Sequence, residues 1–127
     1  GRLRERIMYE YKIKEITHFV DGDTFDCIID LGFDIFHEIR VRMYGMNTPE
    51  SRTRDLEEKQ RGLASKARLI EILTEEDAYD LVLRTKEKGK YGRWLGVVIK
   101  QYKHHVQDVN EQMIEEGFAV PYFGGKR

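Results

Sequence analysis

The sequence predicts a mainly β fold with two helices, of the α+β class, and three observations lead to this prediction. Five short segments alternate between apolar and polar residues or are rich in β-formers, which is typical of half-buried strands. Two other segments repeat their apolar residues at helical spacing. The chain has 127 residues, 40% of them hydrophobic, which is the usual size of one domain with a single core.

Three strands are predicted before the first helix, over residues 9–20, 24–31 and 35–44. The first alternates, with Tyr11 and Ile13 on one face and Lys12 and Lys14 on the other. The second is a run of β-formers, and the third again alternates between apolar and polar residues. Gly32 supplies the turn between the second and third strands, so the three strands form a meander.

A polar loop, GMNTPESRTRD, follows the third strand. Pro49 cannot sit inside a central strand, and long loops on a rigid scaffold often carry function. The first helix is predicted directly after this loop, over residues 56–73. Its apolar stripe is expected to face the core and consists of Leu56, Leu63, Ala67, Leu69, Ile70 and Leu73.

Two more strands are predicted over residues 79–85 and 94–102, and a second helix follows them. Asp108 and Glu111 form a capping-box-like start for this helix, and Gly117 is the expected stop. Five short strands with a helix after the third describe an OB-fold, a partly open five-stranded barrel that commonly binds oligonucleotides. Such an architecture does not by itself fix a function.

The charge of the chain argues against a global polyanion-binding field, because the net charge is −1. A local candidate exists in RTKEKGKYGR, residues 84–93, where five basic residues stand against one acid. This segment is either a polyanion contact or a solvated hairpin tip. No apolar stretch approaches the roughly 20 residues that a transmembrane helix needs.

The first residues resemble no secretory signal, because GRLRERI is basic but is not followed by an apolar region and a cleavage site. We expect residues 1–8 to be a leader or an added segment, and residues 9–127 to be the domain. Met8 is a candidate native start, in which case the seven residues before it are the added part. A cytoplasmic location would follow if the chain is complete. Cys27 is the single cysteine, and we expect it to be a buried small hydrophobe.

Two acidic residues bracket Gly22 at the start of the second strand. Asp21 and Asp23 are two residues apart and are expected to point the same way, so that both could reach one cation. Gly22 is expected to let the backbone turn tightly. The alternative is an Asx-turn that only begins the strand.

The NTPE segment offers oxygen atoms that suit a hard cation. These are the amide of Asn47, the carbonyl of Thr48 and, through water, the carboxylate of Glu50. A capping or turn sequence is the alternative. In the basic hairpin, Arg93 has a planar guanidinium that can hold two oxygens of one phosphate.

Four motifs together are similar to those of the staphylococcal nuclease-like, or thermonuclease, family. They are DGDT at 21–24, RVRMYGMNTPE at 40–50, KYGR at 90–93 and VNEQMIEEGFA at 109–119. They occur in the family's order at compatible spacing, and the resemblance extends over about residues 12–123. It implies a calcium-dependent phosphodiesterase on an OB-fold that cuts DNA and RNA, leaving 3′-phosphate and 5′-hydroxyl ends.

The resemblance also implies a site for one calcium ion. Asp23 is similar to the family's metal-ligating aspartate, and Thr48 to the residue that offers a backbone carbonyl. Asn47 stands at a further ligand position, and Asp21 matches an acid that supports the water shell of the metal.

The remaining matches imply roles toward the substrate. Glu50 resembles the glutamate that positions or deprotonates the attacking water, and Arg42 and Arg93 resemble the two arginines that clamp the phosphate. Lys90 and Tyr91 align with residues that hold a terminal nucleotide phosphate. Single-stranded nucleic acid is the expected partner, and no protein or membrane partner is expected.

Two departures from the family pattern affect these expectations. Many members have aspartate where this chain has Asn47, so we expect weaker calcium affinity or greater reliance on the substrate phosphate as a ligand. Tyr122 aligns with the base-stacking tyrosine only across a small gap. The alternative function is a non-catalytic OB-fold module that binds single-stranded nucleic acid. Such a module would be expected to lose the clamping arginines or the glutamate, which this chain keeps.

Overall fold

The computed structural model describes residues 9–88 and 92–123, and the expected leader lies outside them. In chain order the elements are β1 Glu10–Asp21, β2 Thr24–Asp30, β3 Phe36–Met43, β4 Met46–Asn47, α1 Leu56–Thr74, β5 Asp80–Lys88, β6 Trp94–Gln101, β7 Val106–Asp108, α2 Val109–Glu115 and β8 Val120–Pro121. The five predicted strands correspond to β1, β2, β3, β5 and β6. The two predicted helices correspond to α1 and α2.

Five strands close into a barrel. The sheet has the order β3-β2-β1-β5-β6-β7, and β3 also pairs with β6 in parallel, so that Val41 is opposite Trp94. The short strands β4 and β8 pair separately. The predicted α+β class and five-stranded OB-fold are therefore confirmed.

The core lies inside the barrel, and α1 covers it. Alternation on β2 and β3 turns Phe25, Cys27, Val41 and Met43 inward, and Leu69 of α1 packs into the same cluster. Cys27 is fully buried, as expected, and this burial raises the pKa of its thiol to about 12. The thiol therefore acts as a small hydrophobic group of the core.

The predicted inward face of α1 is wrong in the N-terminal half of the helix. Leu56 and Leu63 are exposed there, at 72% and 46%, and Ala67 is exposed as well. The buried positions in this half are Gly62 and Ser65, which are too small to appear in an apolar pattern. Only farther along the helix do large residues face the core; they are Leu69, Ile72 and Leu73.

The second helix begins and ends where the sequence predicts. The carboxylate of Asp108 accepts a hydrogen bond of 3.0 Å from the backbone N–H of Glu111, and Gly117 follows the helix with a φ of 84°. The buried side chain of Asn110 fixes α2 to the barrel: its Oδ1 accepts from the backbone of Val98 at 3.0 Å, and its Nδ2 donates to the carbonyl of Tyr44 at 2.8 Å. In the described part of the chain, neither helix combines the length and the apolar character that crossing a membrane requires.

Candidate active site

The turn between β1 and β2 carries the two predicted acids and lies against α1. A Cβ atom built on Gly22 would lie 2.8 Å from the Cβ atom of Ser65, which is closer than side chains approach. Gly22 does not have a positive φ, so a tight turn is not why glycine is needed. The reason is the close approach of α1, which corrects the expectation from the sequence.

Asp23 is held by groups from β2, from β3 and from the NTPE loop. It is only 7% exposed. Its Oδ1 accepts from the hydroxyl of Thr24 at 2.9 Å, and its Oδ2 accepts from the backbone N–H of Thr48 at 3.2 Å. The Nη1 atom of Arg42 lies 3.4 Å from the same Oδ2. These bonds connect the turn to the NTPE loop.

Arg42 joins Asp23 to Asn47. Its Nη2 donates to the Asn47 Oδ1 at 2.9 Å, while its Nη1 donates to the carbonyls of Met46 and Met43 at 2.9 and 3.1 Å. The guanidinium is thus held on two sides, and 13% of the side chain is exposed. Three of the predicted site residues, from the two motifs DGDT and RVRMYGMNTPE, meet here.

Asp21 is bonded to a residue that no sequence motif indicates. The hydroxyl of Ser51 donates to the Asp21 Oδ1, and Ser51 is buried although it lies in a loop. A serine after Glu50 carries no distinguishing pattern in one sequence, so its contact with a residue 30 positions away was not predictable.

Glu50 lies on the loop between β4 and α1 and is exposed. Its backbone N–H donates to the Glu58 Oε2 of α1 at 3.1 Å. A Cβ atom built on Gly62 would lie 2.4 Å from the Glu50 carbonyl oxygen, so the helix backbone touches the loop directly. Neither Glu58 nor Gly62 was selected from the sequence.

Thr48 is buried between the turn and α1. Its Oγ1 atom has no hydrogen-bond partner in the described part of the chain. Asn47 and Thr48 also form one wall of a groove of about 630 Å³, whose other walls come from α1 and from residues 117–120. The loop is therefore packed on one side and open on the other.

For the other residues that are predicted to bind the substrate, either the structure gives backbone positions or the residues lie outside the described part of the chain. Arg93 directly precedes β6, whose first residue, Trp94, is paired with Val41, the neighbour of Arg42. The backbone of Arg93 therefore lies beside the strand that carries the other arginine. The backbone N–H of Tyr122 donates to the carbonyl of Gly45 at 3.0 Å. Lys90 and Tyr91 lie outside the described residues.

The oxygen atoms at this site are of the kind that binds hard cations. Asp23 and Asn47 both contact the guanidinium of Arg42, so their oxygens lie in one place, and the backbone of Thr48 adjoins them. Residues 9–88 and 92–123 contain no cluster of three or more His, Cys, Asp or Glu side chains with metal-binding geometry. The chemical types of these oxygen atoms therefore suit an ion that binds oxygen ligands. Asp23 is the acidic residue among them, and its carboxylate also contacts Arg42.

The fold and this site define a class of protein: a five-stranded barrel of the nuclease and nucleic-acid-binding type, with its polar site at one end of β2 and β3. Residues 40–127 match the model of the staphylococcal nuclease homologue family, and the chain belongs to that family. The match begins at Arg40, so the DGDT turn precedes it; the bonds of Asp23 to Thr48 and Arg42 connect the turn to the matched region.

One curated relative adds to this comparison. The chain is 27% identical over 113 residues to Protein ParB of Escherichia coli. The matched region covers 85% of this chain and 56% of ParB. The chain therefore spans little more than half the length of that relative.

Proposed function

We propose that this protein is a calcium-dependent nuclease that hydrolyses phosphodiester bonds of DNA, RNA or both. One observation carries the proposal: the guanidinium of Arg42 is bonded to Asn47 and lies 3.4 Å from Asp23. A phosphate-binding group and two candidate cation ligands thus share one small site. Family membership supports nuclease chemistry in general terms.

Asp23, Asn47 and the backbone carbonyl of Thr48 are the residues that would hold one calcium ion. When bound, the ion supplies Lewis-acid stabilisation to the anionic phosphate. Asp21 is held by Ser51 at the edge of this group, where its remaining oxygen atom would accept from water molecules around the ion.

Arg42 and Arg93 are proposed to bind the non-bridging phosphate oxygens. The carbonyls of Met43 and Met46 hold the guanidinium of Arg42 in a fixed orientation, so little reorganisation is needed when charge develops on the substrate. Loss of one such donor typically costs about 100- to 1000-fold in rate.

Glu50 is proposed to orient and deprotonate the attacking water. Its carboxylate is on an exposed loop, where water reaches it, while its backbone is fixed by α1. A general base of this kind contributes about 100- to 10,000-fold in rate. Departure of the 5′ oxygen would then leave 3′-phosphate and 5′-hydroxyl ends.

Lys90 and Tyr91 are proposed to hold a terminal nucleotide phosphate, and Tyr122 is proposed to stack on a base. Single-stranded nucleic acid is the proposed preferred form. The position of Tyr122 supports its part, because its backbone is bonded to Gly45, two residues before Asn47. A comparison of single- and double-stranded oligonucleotides of one sequence would test the strand preference.

The test of the proposed function is cleavage of a labelled single-stranded oligonucleotide with calcium, with chelator, and with calcium restored. We expect cleavage that stops in chelator and returns with calcium, giving products that phosphatase must treat before their 3′ ends can be extended. In Glu50→Gln we expect kcat to fall about 100-fold or more, while substrate affinity changes little, because the variant keeps the size of the side chain but not its basicity.

A second candidate is a module that binds single-stranded nucleic acid without cutting it. The observation that favours it is the amide at Asn47, which leaves Asp23 as the acid in contact with Arg42. Binding without cleavage in calcium, magnesium and manganese would support the module and contradict the nuclease.

A further inference from the structure

The N-terminal half of α1 contacts both segments that form the candidate site. Glu58, Gly62 and Ser65 follow one another at helical spacing, and Gly62 and Ser65 are buried. Glu58 and Gly62 contact the backbone at Glu50, while Ser65 limits the space at Gly22. We call this helix face the support face. It consists of small or polar residues, whereas the sequence pattern predicted that leucines form the inward face of this part of the helix.

Glu50 depends on neighbouring elements for its position because it lies outside the helices and strands. The next residue is tied to the barrel through the bond between Ser51 and Asp21. On the opposite side, the support face contributes the bond from the Glu50 N–H to the carboxylate of Glu58. Residues 50 and 51 are thus held between the barrel and the helix.

Gly62 brings the helix close enough for that bond to form. A Cβ atom at this position would lie 2.4 Å from the Glu50 carbonyl oxygen and 2.7 Å from that of Pro49. The backbone conformation does not require glycine, since Gly62 is within a regular helix and has no positive φ. Glycine weakens a helix interior, so close contact with the loop is the physical reason for its presence.

We propose that Glu58 and Gly62 are positioning residues that set where the carboxylate of Glu50 points. This inference rests on the proposed nuclease function for its kinetic consequence. Its structural content, that the carboxylate of Glu58 fixes the loop backbone at Glu50, stands apart from any activity. Displacement of a reacting group by about 1 Å can cost 100-fold in rate, so the effect should appear in kcat.

The experiment compares Glu58→Ala, Glu58→Gln and Glu57→Ala. Glu57 is the matched control because it is the other acid in the first turn of α1, so both alanine variants remove the same charge near the helix N-terminus. We expect Glu58→Ala to lower kcat about 10- to 100-fold, with KM within about threefold of the parent value. Glu58→Gln keeps an acceptor oxygen and should restore most of the rate, and Glu57→Ala should resemble the parent.

A second measurement does not depend on activity. Hydrogen exchange of the Glu50 amide, followed by NMR, should be roughly tenfold faster in Glu58→Ala than in the parent, Glu58→Gln or Glu57→Ala. If no form of the protein cleaves nucleic acid, the proposed function fails, and this exchange rate still decides whether Glu58 fixes the loop. Unchanged exchange in Glu58→Ala would overturn the inference.

Two kinetic outcomes would also contradict it. Equal losses of kcat in Glu58→Gln and Glu58→Ala would mean that the charge matters and the hydrogen bond does not. Equal losses in Glu57→Ala and Glu58→Ala would point to helix stability alone. Gly62→Ala is an independent check: the added methyl group must displace the loop, so kcat should fall at least as far as in Glu58→Ala, and urea denaturation would verify that the variant is folded.

Discussion

At the scale of single residues, Asn47 decides how much charge the site holds. Its side chain is nearly buried and its oxygen accepts from Arg42 at 2.9 Å. An aspartate here would keep that bond and add a carboxylate beside Asp23. The site would then present two acids to one arginine and a cation, whereas at present it presents one.

Asn47→Asp should therefore lower the calcium concentration needed for half-maximal activity by about tenfold, or about 1.4 kcal/mol, because the guanidinium of Arg42 and the solvent offset much of the attraction between the added carboxylate and the ion. Calcium titration of cleavage at fixed substrate concentration measures this change. Asn47→Ala, which removes the oxygen without adding charge, is the comparison variant and should shift the midpoint upward. Identical midpoints in all three proteins would mean that residue 47 does not ligate the metal.

At the scale of elements, the hairpin between β2 and β3 has an unfavourable turn. Phe33 and Asp34 have φ values of 57° and 60°, and the backbone N–H of Ile35 bonds to the carbonyl of Gly32 at 2.9 Å. This is the left-handed conformation of a type I′ turn, which favours Asn-Gly. Phe33 is 96% exposed, so packing of its ring does not offset the strain.

Phe33→Asn should stabilise the protein by about 0.5–1 kcal/mol, since asparagine tolerates the left-handed region better than other non-glycine residues. Urea denaturation measures the gain. Phe33→Ala removes the same exposed ring but keeps an ordinary preference against positive φ, so it should gain much less. An equal gain in the alanine variant would attribute the effect to the lost ring and contradict the account based on strain.

In the protein as a whole, an ion pair connects α1 to the residue that directly follows α2, 48 positions away in the sequence. Arg68 of α1 contacts both carboxylate oxygens of Glu116, directly after α2, at 2.6 and 2.9 Å. The guanidinium, together with a bond from Gln112, lowers the pKa of Glu116 from 4.5 to about 2. A carboxyl whose pKa is lower in the folded state stabilises the fold above its unfolded pKa, and this contribution is lost as the pH falls toward the folded value.

Glu116→Gln should reduce the free energy of unfolding by about 0.5–1 kcal/mol at pH 7, the range of a partly exposed but bidentate pair. The difference from the parent should persist down to about pH 5 and shrink as the pH falls from 4.5 toward 2. Urea denaturation across this range measures it. Glu115→Gln, one residue away and exposed, is the control. A difference that stays constant with pH would show that the pair is not the cause.

The fold was predictable because strands and helices leave periodic patterns. The alternation of Ile39, Val41 and Met43 corresponds to a buried face of β3, and the Asp108 cap starts α2 where the sequence places it. The prediction that Leu56 is buried is wrong for a definite reason. Apolar spacing indicates which helix residues are able to face a core, but the elements that the helix contacts determine which of them do.

The five-stranded barrel, its two helices and the segments that carry the candidate chemistry could be read from the amino-acid order, because they follow from local periodicity and from motifs that are contiguous in the chain. Three contacts could be learned only from the folded chain. Arg42 connects Asp23 to Asn47, the Ser51 hydroxyl is bonded to Asp21, and the first turns of α1 contact the loop at Glu50. Those contacts connect residues that are distant in sequence, depend on how closely backbones approach or, between Arg42 and Asn47, depend on how two side chains are oriented. None of these properties leaves a pattern in a single chain.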